Sequence, residues 1–164
     1  MTTDSASKER PSLRHPAVFL ATWFGSGYLP KAPGTWGSLA ALPFAWLIFQ
    51  LCGRPGLAVA AVAVFAAGVW SAGVYIRKSG VHDPGPVVID EVVGQWLTLL
   101  AVTPDPVLYA AGFILFRLFD ILKPWPASWA DRKVAGGLGV MLDDIFAAAY
   151  AALVLYLIAP WLGG

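Results

Sequence analysis

The stretch that decides the fold is residues 32–76, APGTWGSLAALPFAWLIFQLCGRPGLAVAAVAVFAAGVWSAGVYI. Its two halves, 32–53 and 55–76, carry no charged residue and are separated only by Arg54. Each half is longer than the about 20 apolar residues with which a helix crosses the roughly 30 Å hydrocarbon core of a bilayer. The stretch therefore predicts two membrane-spanning helices joined by a short turn.

The composition predicts a lipid environment for the whole chain. Hydrophobic residues make up 58% of the 164 residues and charged residues 13%, against roughly 45–50% and 25% in soluble domains. The mean hydropathy is +0.67. A water-soluble monomer is not expected. With a net charge of +1 and no basic stripe that could follow phosphates, a nucleic-acid partner is not expected either.

Three further apolar segments complete the predicted bundle. The uncharged run that begins at Ile145 predicts one more crossing, and 92–102 and 107–116 flank TPDP, whose two prolines disfavour continuous helix. The last two segments predict a helical hairpin over 88–122, with a re-entrant or tilted pair as the alternative. We therefore expect an all-α integral membrane helical bundle with about four to five membrane-embedded helices, formed by 16–164 as a single domain behind a flexible cytoplasmic tail, 1–15.

The charges predict which way the chain crosses. We place five crossings near 37–53, 57–76, 88–102, 107–122 and 145–160. Of the eleven basic residues, only Arg54 then lies on the side away from the N-terminus. Because cytoplasmic loops carry the excess of Lys and Arg, this predicts a multi-pass protein with a cytoplasmic N-terminus and a C-terminus across the membrane.

The acidic residues gather on the same side. Seven carboxylates fall at or near the cytoplasmic ends of the predicted helices: Asp83, Asp90, Glu91, Asp120, Asp131, Asp143 and Asp144. A charged side chain costs about 2.5–3.5 kcal/mol at the centre of a membrane helix, so such residues are functional by default. The sequence therefore predicts a functional site on the cytoplasmic face.

The adjacent acids predict a bound cation. The pairs Asp90–Glu91 and Asp143–Asp144 cannot all be ionised at close range without a neutralising group. Oxygen ligands alone suit magnesium or manganese better than zinc. The alternative is that these acids form structural ion pairs with neighbouring Arg and Lys side chains.

Basic residues near the acids predict phosphate binding. Arg117, Asp120 and Lys123 follow one another at helical spacing of three, so they share a face. This stripe could hold a phosphate while Asp120 acts as a metal ligand, or it could be a self-satisfied row of ion pairs. The glycine-bearing loops 31–38 and 135–139 could offer backbone amides to an anion or simply serve helix packing. In the first loop, Thr35 is a candidate anion ligand or a helix cap.

His82 lies beside Asp83 in a loop rich in Pro and Gly. A histidine there could be a general acid, a metal ligand or an interfacial hydrogen-bonding group. These three roles stay open.

Four segments resemble one bacterial enzyme family when taken in order. They are FGSGYLPKAPGTWGSLAALP (24–43), GVHDPGPVVIDEVVGQW (80–96), AAGFILFRLFDILKPWP (110–126) and GGLGVMLDDI (136–145). Together they resemble phosphatidylglycerophosphatase A, which removes the terminal phosphate of phosphatidylglycerophosphate to leave phosphatidylglycerol in phospholipid biosynthesis. The resemblance runs from about Pro16 to Ile158.

The resemblance implies a helical, magnesium-dependent phosphatase of the bacterial inner membrane, with a phospholipid substrate presented from the cytoplasmic leaflet. It implies metal roles for Asp83, Asp90, Glu91, Asp143 and Asp144. It implies substrate or structural polar roles for Arg117, Asp120, Lys123 and Arg132. We expect the catalytic groups to come from Asp90, Glu91, Asp143, Asp144 and His82, with Mg²⁺ as cofactor.

Two chemical routes and two other protein classes stay open from the sequence. A carboxylate could prepare water for in-line attack beside the metal, or an aspartyl-phosphate could form. The competing classes are a small membrane transporter or channel that uses the carboxylates as an ion site and a purely structural membrane subunit.

Overall fold

The computed structural model describes residues 10–81 and 84–162 and is built from helices. They are α1 (Pro16–Ala21), a short 3-10 turn (Ser26–Tyr28), α2 (Pro33–Ser79), α3 (Ile89–Leu99), α4 (Pro106–Leu122), α5 (Ala127–Lys133) and α6 (Gly136–Leu162). No strand occurs in these two ranges. The predicted all-α class is confirmed.

The long element α2 consists of two arms that meet at Gly53. This residue has φ 66° and ψ −170°, which is not helical and which glycine adopts without the steric cost of a Cβ. Both outer ends of α2 return to the start of α3: a Cβ placed on Gly37 would lie 2.7 Å from Cβ of Val88, and one on Gly68 would lie 3.4 Å from Cγ2 of Ile89. The arms therefore form a helical hairpin, as the two uncharged runs predict.

The main helices alternate in direction between two ends of the bundle. One end holds Pro33 of α2, Asp90 of α3, Asp120 of α4 and Asp143 of α6 around a shared cavity. The opposite ends of the same elements meet around a second depression, lined by Arg54, Thr103, Leu108, Tyr156 and Pro160 among others. Six of the carboxylates that the sequence places on one side thus lie at the first end, within the described part of the chain.

Two helices are long and apolar enough to cross a membrane, Pro33–Ser79 and Gly136–Leu162. The crossing predicted over 88–102 corresponds to α3, whose eleven residues span only about 16 Å at 1.5 Å per residue. The other arm of that predicted hairpin, α4, has 17 residues. The predicted number of four to five membrane-embedded helices is therefore not confirmed, and α5 is a short helix that the sequence did not predict.

Small residues let the helices approach closely around α3. A Cβ on Gly94 would overlap the ring of Phe116, and one on Gly137 would overlap the carbonyl oxygen of Val69. Trp96 adds a polar link, because its Nε1 donates to the carbonyl of Ala41 at 2.9 Å. Close backbone approach at small residues is the usual way in which helices pack in lipid, and it fixes the short α3 among its longer neighbours.

Residues 10–15 contact the helical body. The hydroxyl of Tyr28 donates to the carbonyl of Pro11, and the guanidinium of Arg10 lies 5.5 Å from the centroid of the Tyr28 ring. His15 precedes α1 and accepts a hydrogen bond from the amide of Ala17 at 3.2 Å. Residues 10–15 are therefore held against the helical body by Tyr28 and the start of α1.

Candidate active site

A cavity of about 210 Å³ opens at the end of the bundle where α2, α3 and α6 begin and α4 ends. Six of the seven singled-out carboxylates line it: Asp90, Glu91, Asp120, Asp131, Asp143 and Asp144. The seventh, Asp83, lies outside the described residues, as does His82. The structure thus brings together acids that are up to 54 positions apart in the chain (144 − 90).

Helix positions explain why these acids meet. Asp90 and Glu91 occupy the first turn of α3, where the positive end of the helix dipole favours negative charge. Asp143 and Asp144 lie further inside α6 and are only 6% and 3% exposed. Carboxylates buried to this degree need compensating charge.

Three carboxylates form a compact group. One oxygen each from Asp90, Glu91 and Asp144 lies within 4.8 Å of the others. Among the described residues, Oδ1 of Asp90, Oε2 of Glu91 and Oδ2 of Asp144 are buried without a hydrogen-bond partner. Converging oxygens with free lone pairs fit a hard divalent cation, which takes carboxylate ligands readily. These three residues could therefore hold a magnesium ion.

Arg117 compensates the acids from behind the cavity. Its Nη1 pairs with Oδ2 of Asp120 and lies 3.7 Å from Oε1 of Glu91. The three side chains are 15%, 12% and 14% exposed, and Arg117 does not line the cavity described above. The sequence left two roles open for Arg117, phosphate binding and an ion pair. In this geometry Arg117 forms the ion pair. A buried pair of this kind holds both partners in place.

Lys123 is the cation that faces the cavity. It follows the last turn of α4 with φ 43°, and its Nζ donates to Asp131 and Asp143, each at 2.6 Å. Burial alone lowers the pKa of Lys123, but these two hydrogen bonds raise it above its ordinary value. The lysine is therefore protonated at neutral pH and offers a fixed positive charge beside the acids.

Gly34 is a site residue that sequence reasoning missed. It lines the cavity with Pro33 at the start of α2. A Cβ at this position would overlap Oε1 of Glu91 and lie 2.8 Å from Nη1 of Arg117. The absence of a side chain thus lets the helix start pack directly on the Glu91–Arg117 pair. The glycines of the 31–38 loop were the signal, and of their two interpretations, anion binding and helix packing, Gly34 realises the close packing.

We expect Gly34→Ala to lower turnover by about 10²-fold, the loss that follows a misplacement of roughly 1 Å in a catalytic group. The added methyl must displace Glu91 or Arg117. Gly85→Ala is the matched control, because Gly85 lines the same cavity and its added Cβ would meet nothing closer than 4.0 Å. Initial rates of phosphate release from both variants measure the effect; equal rates would contradict this role for Gly34.

Besides Arg117, two further predicted substrate ligands do not line the cavity. Thr35 is partly exposed, does not line the cavity and uses its amide to reach the carbonyl of Ala32 at 3.0 Å. Arg132 is exposed near the end of α5 and does not line the cavity either. From the second glycine loop, Gly136 and Gly139 do line it.

Comparison with known proteins points to one family. The family model described as phosphatidylglycerophosphatase A matches residues 19–159. A phosphatidylglycerophosphatase A of Escherichia coli (strain K12) is 42% identical over 160 residues, covering 93% of this chain and 88% of the relative. One from Haemophilus influenzae is 38% identical over 161 residues, covering 98% and 99%.

A third relative, from Bacteroides thetaiotaomicron, bears the name of a phosphatidylinositol-3-phosphatase. It is 38% identical over 170 residues, covering 95% of this chain and 99% of the relative. No solved structure matches the chain.

Proposed function

This chain belongs to the phosphatidylglycerophosphatase A family, and from that premise we propose that it is a magnesium-dependent lipid phosphatase of phospholipid biosynthesis. Its similarity over nearly the full chain supports a phosphatase. The substrate in this proposal is phosphatidylglycerophosphate and the product is phosphatidylglycerol. The observation that carries it is the group of three converging carboxylates beside a protonated lysine in one cavity.

Asp90, Glu91 and Asp144 would hold the magnesium ion, since each contributes one oxygen to the converging group. The bound ion supplies positive charge that offsets the phosphate and polarises its oxygens. Lys123 adds a second positive charge at the cavity wall. Both positive charges would reduce the repulsion between the six acids of the site and a phosphomonoester dianion.

Asp143 is suited to accept a proton from the attacking water. Its Oδ2 is held by Lys123 at 2.6 Å, while its buried Oδ1 has no partner among the described residues. A fixed carboxylate with one free oxygen can take the water proton as the water oxygen bonds to phosphorus and the P–O ester bond breaks, and it can then return this proton to the leaving alkoxide. Water attack is therefore the route we propose over an aspartyl-phosphate.

We expect Lys123→Ala to raise KM by about tenfold or more while kcat changes less. A charge-assisted hydrogen bond contributes about 1.5–3 kcal/mol, and a contact made equally in ground and transition states appears in KM. Lys133→Ala, at an exposed position of α5, is the control. A fall in kcat alone would assign Lys123 to the chemical step instead.

The proposed location is the bacterial inner membrane, with the active site towards the cytoplasm and four to five helices embedded. Large apolar side chains face outwards on three helices: Leu51 is 74%, Ile114 63% and Tyr156 65% exposed. Apolar surface of this extent needs a cover. The alternating helix directions bring the carboxylate end to the side on which the basic residues concentrate, and that side is cytoplasmic by the positive-inside rule.

Reporter fusions at both ends are expected to place the N-terminus in the cytoplasm and the C-terminus outside. The reason is the position of Arg54 as the only basic residue on the far side of five crossings. A reporter that is active only in the cytoplasm and one active only outside, each fused at both ends, form the measurement. Both ends on the same side would mean that one of the five crossings, an arm of the 88–122 hairpin, is re-entrant.

The function is tested by phosphate release from the purified protein. Matched detergent micelles contain phosphatidylglycerophosphate, phosphatidic acid or phosphatidylinositol 3-phosphate, and soluble glycerol phosphate is the fourth substrate. We expect the highest kcat/KM on phosphatidylglycerophosphate. Equal values for all four would remove the lipid assignment and leave a general phosphatase.

The gathering of the acids at one end, rather than along a path through the bundle, disfavours a transporter or channel.

A further inference from the structure

An apolar groove is formed by helices that also carry acids of the carboxylate cavity. It lies between α2, α3 and α6, has a volume of about 170 Å³ and is lined by Ala61, Val62, Phe65, Val93, Leu97 and Ile145. None of these side chains carries a polar atom. The groove therefore has nothing with which to bind a head group, a cation or an ordered water.

The groove continues the face of α3 that carries Asp90. Val93 and Leu97 follow Asp90 by three and seven residues, a spacing that keeps all three on one stripe of a helix. At 1.5 Å per residue, the stripe descends about 10 Å from the acid to Leu97. On α6, Ile145 follows Asp144 directly. Both helices thus pass from the acidic cavity straight into the apolar groove.

The groove opens sideways, towards the surroundings of the bundle. Its floor is buried, since Ala61 and Val93 are each 1% exposed, whereas Val62 at its rim is 69% exposed. Ile145 is partly exposed. Within the described part of the chain, neither Val62 nor Ile145 belongs to the packed apolar clusters. These rim residues are therefore free to contact a molecule that arrives from the side.

We infer that this groove receives the upper part of one acyl chain of the lipid whose phosphate lies in the carboxylate cavity. The inference rests on the proposed function and adds a binding site for the apolar half of the substrate. An acyl chain is complementary to the apolar lining. The phosphate head group to which it is joined would lie in the carboxylate cavity, about one helical turn away along α3. The groove is smaller than the roughly 300–1,000 Å³ of a typical ligand pocket, so it takes a segment of one chain while the remainder stays in the bilayer.

Filling the groove tests this assignment. Val62→Trp blocks it from the rim of α2, and Ile145→Trp blocks it independently from α6. For each variant, KM is measured for long-chain phosphatidylglycerophosphate and for its deacylated, water-soluble counterpart. Each buried methylene contributes a factor of about four to affinity. Displacing about two methylenes is therefore expected to raise the ratio of the lipid KM to the soluble KM about fifteen-fold.

Val59→Trp is the matched control, since Val59 is also 69% exposed on α2 but does not line the groove. Its KM ratio is expected to equal that of the wild type. The inference is overturned if both groove variants keep the wild-type ratio, or if Val59→Trp raises the ratio as much as they do. If the wild-type protein hydrolyses neither compound, the proposed function itself fails. That result differs from hydrolysis with a KM ratio that the groove variants leave unchanged, which contradicts the groove alone.

Discussion

Replacing Asp90 or Asp143 by Asn is expected to reduce phosphate release by at least about 10²–10⁴-fold, the range that a general base contributes. Asp90 loses charge from the group of three converging oxygens. Asp143 loses the basicity of its free Oδ1, which we assign to the water proton. Asparagine keeps the shape of the side chain, so the helices are expected to pack as before. Steady-state rates at saturating lipid and magnesium measure the loss.

The matched control is Asp105→Asn, at the start of α4 and away from the cavity. Asp105 accepts hydrogen bonds from the amides of Val107 and Leu108 at 2.8 and 2.9 Å. Asparagine caps a helix about as well as aspartate, so this variant tests the substitution without touching the site. Membrane insertion of all three variants is expected to match the wild type. Wild-type turnover by both site variants would remove the proposed mechanism.

The sequence could predict that the acids gather at one end of the bundle, because the order of the apolar segments along the chain predicts at which end each acid lies. Two uncharged runs about Arg54 predict a helical hairpin, and the structure forms one with its break at Gly53. Since successive apolar segments are expected to run in opposite directions, acids at alternate segment ends are expected on one side. Asp90 and Asp143 therefore meet in one cavity, although 53 positions separate them (143 − 90).

The pairing of individual charges could not be predicted in the same way. The spacing of Arg117 and Asp120 fits both an ion pair and a phosphate site, and only the approach of Glu91 from α3 decides for the pair. Gly34 was missed for a related reason, since its lack of a Cβ matters only once Glu91 lies against it. Helical spacing fixes neighbours on one helix, whereas contacts between helices depend on packing.

The length of α3 was a further difference, with a physical cause in the neighbouring loops. The apolar pattern over 88–102 predicts a crossing, yet the helix ends at Leu99. Pro104 and Pro106 follow and disfavour helix at Thr103 and Asp105, so the chain cannot continue α3 through this loop into α4. Hydropathy reports which residues tolerate lipid, and it does not report where the backbone stops being helical.

Removal of divalent metal is expected to abolish hydrolysis, and restoring magnesium is expected to recover it. Without a cation, the buried acids Asp90, Glu91 and Asp144 repel a phosphate dianion and one another. A ligand that binds only the folded state also stabilises it, by about 2.7 kcal/mol at one hundred times its Kd. Magnesium is therefore expected to raise the Tm of the wild-type protein.

The Tm shift separates binding of the metal from its part in the reaction. Asp90→Asn removes one of the three converging carboxylates and is expected to lose most of the shift. Asp105→Asn, at the far end of α4, is expected to retain it. A chelated protein that turns over at the wild-type rate would overturn the metal mechanism. An equal Tm shift in Asp90→Asn and in the wild type would place the cation away from Asp90. The reason is that replacing a charged carboxylate ligand by a neutral amide weakens binding of the cation and therefore reduces the shift.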